Sequence, residues 1–302
     1  MLCPCGSRSV SVSCCYDKTD GKFRKRVPSI VPPAPATGYA HPGCYLRGTN
    51  DCSTKISGEH YFSANILEQI SKLSGLGGAA LQISGMPWQA PGATQGLPIS
   101  AMVANILCER HNNALSPLDA EAGRFFSILA GIEANEGRAY RHPLIDLVSG
   151  TVIEKWMLKV ACGLYYSVGA QDGKKLRGSH SIDVAKAEKA LFHDIWDDRA
   201  GLYFVVPADA VVRAGINNSY IAPLTDHRRF GGARVSMLGF ELDLVFNTAD
   251  TNPSAWTSVI HRPGELMFSS DKRTHHLLVS WPPGFPSPII NFGTTPRPIS
   301  RH

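Results

Sequence analysis

The chain has 302 residues, 43% hydrophobic and 18% charged, which is apolar enough to bury a core and excludes a disordered tail or a disulfide-stapled miniprotein. Lys plus Arg number 30 against 25 Asp plus Glu, a formal charge of +5, and this mild basic bias permits a nucleic-acid partner without requiring one. No run approaches the roughly 18 consecutive apolar residues of a membrane span, and the opening residues lack the charged-then-apolar order of a secretion signal. The expectation is a cytoplasmic protein with no membrane partner.

In chain order, residues 1–26 hold four of the eight cysteines and end in the basic residues Lys22, Arg24, Lys25 and Arg26. Prolines 28, 32, 33 and 35 leave residues 27–38 little capacity for helix, so the stretch reads as a semi-rigid linker. Residues 39–135 carry further Cys and His around glycine- and turn-rich stretches. Near their end, Ser116 with Asp119 three places on predicts a helix start, and Phe125, Phe126, Leu129 and Ala130 a short buried helix over 120–131. Residues 136–302 open with a predicted helix over 152–166, where Ile153, Trp156, Met157, Val160 and Leu164 recur at helical spacing and Lys155 and Lys159 share a flank. A further helix is predicted over 184–196. Short β-branched and aromatic runs then predict strands over 202–206, 233–246 and 277–281, so the fold class is α+β with its strands late.

The cysteines carry the chemistry, because in a reducing compartment clustered thiols point to metal before disulfide. Cys3, Cys5, Cys14 and Cys15 form C-x-C-x8-C-C, four thiolates suited to a closed tetrahedral zinc site with no open position for catalysis. The spacing and the Cys-Pro-Cys-Gly-Ser opening at 3–7 resemble the SEC-C zinc-binding motif, although Arg8, Val10 and Val12 stand where that motif usually has a Gly, a Lys and an aromatic. The resemblance implies a small docking element for protein or nucleic acid.

Cys44, Cys52, Cys108 and His111 make a second set, Cys3His, that can staple the ends of the 39–135 segment with zinc. Glu59, His60, Asn105, Asn112 and Asn113 are left over, the oxygen and imidazole groups that a magnesium-dependent hydrolase uses. This order resembles the His-Asn-His (HNH) endonuclease family, which implies a zinc-stabilised ββα-metal (treble-clef) core with residues 61–104 as an insertion. By that resemblance Glu59 is the acidic metal ligand, His60 the general base, Asn105 the residue holding the base loop, and Asn112 or Asn113 the last ligand of Mg2+ or Mn2+. The chain departs from the family in the long Cys44-to-Cys52 spacing, in His111 where a second Cys is usual, and in the long interval from His60 to Asn105. The activity implied is hydrolysis of phosphodiester bonds, in double-stranded DNA before RNA, with residues 136–302 setting partner or substrate.

A rival from another class is a non-catalytic zinc-organised adaptor for nucleic acid or protein, and the Lys22–Arg26 run suits either. Read structurally, His60 is a satisfied core histidine, Asn112 and Asn113 end a turn, and Cys162 is a buried apolar thiol. His193 and Asp197 fall on one face of the predicted helix, where a salt-bridged surface outweighs a metal site. His275 and His276, adjacent in a strand-like run, point to opposite faces. Asp243 stands where a restriction-type Glu-x-Lys needs its lysine. Serine-hydrolase elbows and phosphate loops are missing from the sequence.

Overall fold

Short strands, a helical centre and long late strands follow one another in an α+β order. The computed structural model describes residues 2–60, 62–73, 81–84, 93–134, 142–171, 182–207, 209–212, 220–226, 229–248, 258–270, 272–285 and 288–294. In chain order these form β1 (Tyr16–Asp17), β2 (Lys22–Phe23), β3 (Ile56–His60), α1 (Ala64–Leu73), β4 (Leu81–Ser84), β5 (Thr94–Leu97), β6 (Val103–Cys108), α2 (Glu109–Ala134) and β7 (Leu144–Ser149). There follow α3 (Gly150–Gln171), α4 (Val184–His193), β8 (Gly201–Val205), β9 (Val211–Val212), β10 (Tyr220–Asp226), β11 (Arg229–Met237) and β12 (Phe240–Val245). The last strands are β13 (Val259–His261), β14 (Glu265–Ser270), β15 (Arg273–Ser280) and β16 (Ile289–Thr294).

One sheet, ordered β10-β11-β12-β8-β13, is antiparallel throughout. The other, β7-β15-β14-β16-β9, is parallel at every pairing except β14 with β15. β1 pairs with β2, β3 with β6 and β4 with β5 as separate two-stranded units. Helix α3 sits at the centre, touching β6 and α2 as well as β8, β11, β12, β15 and α4. It is buried on every face from Gly150 to Gly163, so each charge on it needs a partner. Glu154 has Arg262, Lys155 has Asp194 at 2.7 Å, and Lys159 has Glu59 and Asp119. Trp156 packs edge-on against Phe62 and Phe126, each 5.6 Å away, and Cys162 lies among apolar neighbours, burial pushing its thiol up to about 12.

The hydrophobic core does not respect the boundary expected between 135 and 136. One buried cluster runs from Ile30 through Phe62, Leu107, Phe125, Trp156, Leu202, Val235 and Leu266 to Phe292. Residues 27–38, expected to be a linker, are tied down. Ile30 is buried, the Arg110 guanidinium binds the carbonyls of Pro33 and Pro35, and the Thr37 amide donates to Asp51.

The predicted helix over 120–131 is only the last part of α2, which starts at Glu109 and carries Pro117 inside it. Proline cannot donate to the carbonyl four residues back. Ser116, expected to cap the start, instead donates its hydroxyl to that Asn113 carbonyl at 2.9 Å, and the helix continues. α4 stops at His193 rather than 196 because Asp194 takes a left-handed φ of 56°. Asp197 therefore leaves the face of His193 and pairs with Lys186. The stretch 233–246 is two strands, turned by Leu238 and Gly239 with φ of 54° and 75°, the positive pair a tight hairpin requires. His275 and His276 do face opposite ways, to Asp146 at 3.0 Å and to Glu265 at 2.6 Å.

On the edge strand β13, His261 stacks on Tyr203 with ring centroids 4.5 Å apart. Burial first, and then the charge of Arg262, hold its imidazole down at about 4. An unfolded histidine takes its proton near 6.5, so the folded state loses stability as pH falls from there toward 4. His261→Phe keeps the stack and removes the proton site. Calorimetric melting from pH 7 to 4.5 should show a smaller loss of Tm in this variant than in the parent; equal losses would exclude His261 as the source.

Candidate metal centres and the Glu59–His60 site

The first cysteine set is built from tight turns. Gly6 has φ 82°, and its amide donates to the Cys3 carbonyl, closing the turn that brings Cys5 back beside Cys3. A 3-10 turn over Ser11–Ser13 then delivers Cys14 and Cys15. The four sulfurs lie within 4.8 Å of one another. Burial pushes the thiols of Cys3 and Cys15 up, whereas at Cys5 hydrogen bonds from Ser7 and from neighbouring thiols outweigh burial and bring it down to about 6. A divalent cation would resolve this crowding by holding all four as thiolates.

This element is fastened to the second sheet. Cys3 and Cys15 pack on Leu147 of β7, whose amide donates to the Pro4 carbonyl at 3.0 Å, and Arg124 of α2 donates to the same carbonyl at 3.0 Å. The basic run behind it differs from the expected nucleic-acid surface. Arg24 holds Asp20 and Asp17 and donates to the Trp281 carbonyl, and Lys25 pairs with Glu121 of α2. Cations already held by carboxylates offer a phosphate little net charge, which leaves only Lys22 and Arg26 facing solvent.

The second set is wholly buried. Cys108 ends β6, His111 lies in the first turn of α2, and Cys44 and Cys52 flank a 3-10 turn over Arg47–Thr49. The His111 Nδ1 atom is 3.1, 3.5 and 3.7 Å from the sulfurs of Cys108, Cys44 and Cys52. Zinc bonds of about 2.3 Å to sulfur and 2.0–2.1 Å to nitrogen give a tetrahedral edge of about 3.5 Å, so the arrangement fits zinc. Thr49 explains the tautomer. Its hydroxyl donates to the Leu46 carbonyl at 2.9 Å and so accepts from His111 Nε2, 3.0 Å away. The Nδ1 lone pair is then left for the metal. The long spacing between Cys44 and Cys52 is what carries Thr49. The Glu188 carboxylate of α4 lies against this turn at Gly48, where an added Cβ would meet it at 2.7 Å.

β3 and β6 pair antiparallel, Ile56 opposite Cys108 and His60 opposite Val103, with an irregularity between Ser57 and Glu59. Glu59 faces inward and is buried. Its carboxylate lies 2.6 Å from Lys159 Nζ, and Lys159 also meets Asp119 of α2 at 2.5 Å. The Ser63 hydroxyl donates to the other Asp119 oxygen and accepts from the Trp156 indole at 2.7 Å. Burial alone would lower the Lys159 ammonium, but Asp119 and Glu59 outweigh it and raise it, keeping the cation.

His60 is half-buried, and burial holds its imidazole below the usual range. The Ile99 backbone acts in the opposite direction, and Nε2 is buried with no hydrogen-bond partner among the described residues. Asn105 is exposed on β6, Asn113 is exposed and Asn112 half-buried on α2. Among the described residues, no hydrogen bond joins Glu59 or His60 to any of the three. A cavity of about 260 Å³ lies elsewhere, between β2, Ser280, Trp281 and Phe285.

Sequence reasoning found both sulfur sets but not Asp119, Ser63, Thr49 or Lys159 as members of these centres. Lys159 left a usable signal, a lysine in a helix with apolar residues on all sides, which must meet a carboxylate. Compared with protein-family models, with curated proteins and with solved structures, the chain finds no match.

Proposed function

We propose that the protein is an HNH-type endonuclease that hydrolyses phosphodiester bonds of nucleic acid, double-stranded DNA before RNA, with His60 as general base. The observation that carries this reading is the order of elements. β3 ends in Glu59 and His60, pairs with β6, and β6 runs through Cys108 straight into α2 with His111, Asn112 and Asn113. The state of His60 supports it, since burial lowers its pKa and favours the neutral ring, the form that accepts a proton. In this reading the His60 imidazole takes a proton from water, the hydroxide attacks phosphorus, and the 3′ oxygen leaves with a proton from solvent. The residues assigned to Mg2+ or Mn2+ fit it poorly, because the Glu59 carboxylate is engaged by Lys159.

Cleavage of supercoiled plasmid and of RNA by the parent and by His60→Ala, at low salt and in magnesium or manganese, tests the proposal. His60→Ala should lose about 10²–10⁴-fold in rate with binding unchanged. Equal cleavage by both would remove His60 as the base. The engaged state of Glu59 favours one other reading, a zinc-organised adaptor binding nucleic acid or protein, for which neither chain cleaves and both bind alike.

A further inference from the structure

We infer that the Lys159 ammonium is the resident cation at the carboxylate which the ββα resemblance assigns to a divalent metal ion, so that Glu59 is not a metal ligand. The inference takes only the position from the nuclease reading. Lys159 Nζ lies 2.6 Å from Glu59 Oε1 and 2.5 Å from Asp119 Oδ2, and the Lys159 and Glu59 side chains are only 5% and 6% exposed. Mg2+ bonds oxygen at about 2.0–2.1 Å and Ca2+ at about 2.3–2.6 Å. An ion on the inner side of these same oxygens would overlap the ammonium, and two cations at that separation repel strongly in a site of low dielectric.

The ammonium has no evident place to go. Lys159 stands on α3 within the stretch buried on all faces, so turning it aside would place an unpaired cation among apolar groups. The acceptors are equally fixed. Ser63 orients Asp119, and the Trp156 indole orients Ser63, which aims one Asp119 oxygen at Lys159. The groups of three or more His, Cys, Asp and Glu that can surround a metal among the described residues are the two cysteine-bearing sets, and Glu59 is in neither. The ion pairs instead tie β3, α2 and α3 together at one point.

Manganese binding, followed by electron paramagnetic resonance on the zinc-loaded full chain, tests this without any measure of cleavage. The parent and Glu59→Gln should bind Mn2+ alike. Lys159→Met, which frees two carboxylates, should gain a site about ten-fold or more tighter that Glu59→Gln then removes. A parent site weakened about ten-fold by Glu59→Gln, or a folded Lys159→Met with no gained site, would overturn the inference. Should Lys159→Met fail to fold, the ¹⁵N resonance of the Lys159 ammonium in the parent decides. A signal unchanged by millimolar magnesium supports residence, and its displacement overturns it. The nuclease proposal is judged by His60→Ala alone, so either can fail without the other.

Discussion

Cys108→Ser should reduce bound zinc from two ions per chain to one and unfold the β3–β6–α2 element, and with it most of the molecule. Structural zinc in small sites contributes about 10–16 kcal/mol of apparent binding energy, against a total folding stability of about 5–15 kcal/mol for a typical protein. Cys108 is buried, closes β6 and sits in the same core cluster as Trp156 and Phe204, so damage there is not confined to a surface turn. Cys14→Ser provides the contrast. Cys14 is exposed, and its element touches the rest mainly through Leu147, Leu278 and the Pro4 carbonyl. That variant should also lose one zinc but keep its far-ultraviolet circular dichroism and cooperative melting. Elemental analysis with circular dichroism checks both; a Cys108→Ser chain that stays folded with one zinc would show that the buried site is not a staple.

The second large effect is expected at Arg262→Met. Arg262 grips Glu154 with two hydrogen bonds of 2.8 and 3.0 Å, and its guanidinium lies over the rings of Trp281 and Phe285 at 5.7 and 4.5 Å. Removing it strands a buried carboxylate near the start of α3 with, among the described residues, the Leu202 amide 2.8 Å away as its remaining partner. Breaking a buried pair in this way costs about 3–5 kcal/mol, a fall in Tm on the order of 10 °C. Replacing both partners, Glu154→Leu with Arg262→Met, should cost less than Arg262→Met alone, since the penalty comes from the orphaned charge. A double-mutant cycle by thermal unfolding measures it. A single variant within about 1 kcal/mol of the parent would mean that Glu154 is neutral in the fold.

Much of this architecture was legible because its signals are local. Cysteine spacing marked both candidate metal sets, helical spacing marked α3, and short β-branched and aromatic runs marked β8 and part of β15. What the chain concealed was long-range. Nothing within residues 27–38 says that Ile30 reaches the core, and β7, β14 and β16 are strands because the sheet completes them. Ser116 and Asp119 pointed to a helix start, yet α2 runs through Pro117 because the Ser116 hydroxyl serves the Asn113 carbonyl, a compensation visible only once that carbonyl is seen to need a donor. At the candidate site, Glu59 and His60 were identified by type and order, but their surroundings depend on Lys159, a hundred residues downstream in sequence. Its burial, unlike its helicity, follows from two sheets closing over α3.

That closure bears on how the chain is made. Synthesis proceeds from the N-terminus, and domains that own a complete core can fold as they emerge. Here the element made of β3, β6 and α2 owns only part of one. Until α3 is available, Glu59 and Asp119 have no Lys159 between them, and Phe62 and Phe126 have no Trp156 to pack against. α3 in turn lacks its cover until β15 has been made, since Gly150 at its start lies so close to Trp281 that a Cβ there would stand 2.3 Å from the indole. The candidate metal ligands of both sets are all in place by residue 111, well before that cover exists. Metal capture can therefore come early and pin the nascent N-terminal half in register, while the apolar faces wait for the last quarter of the chain.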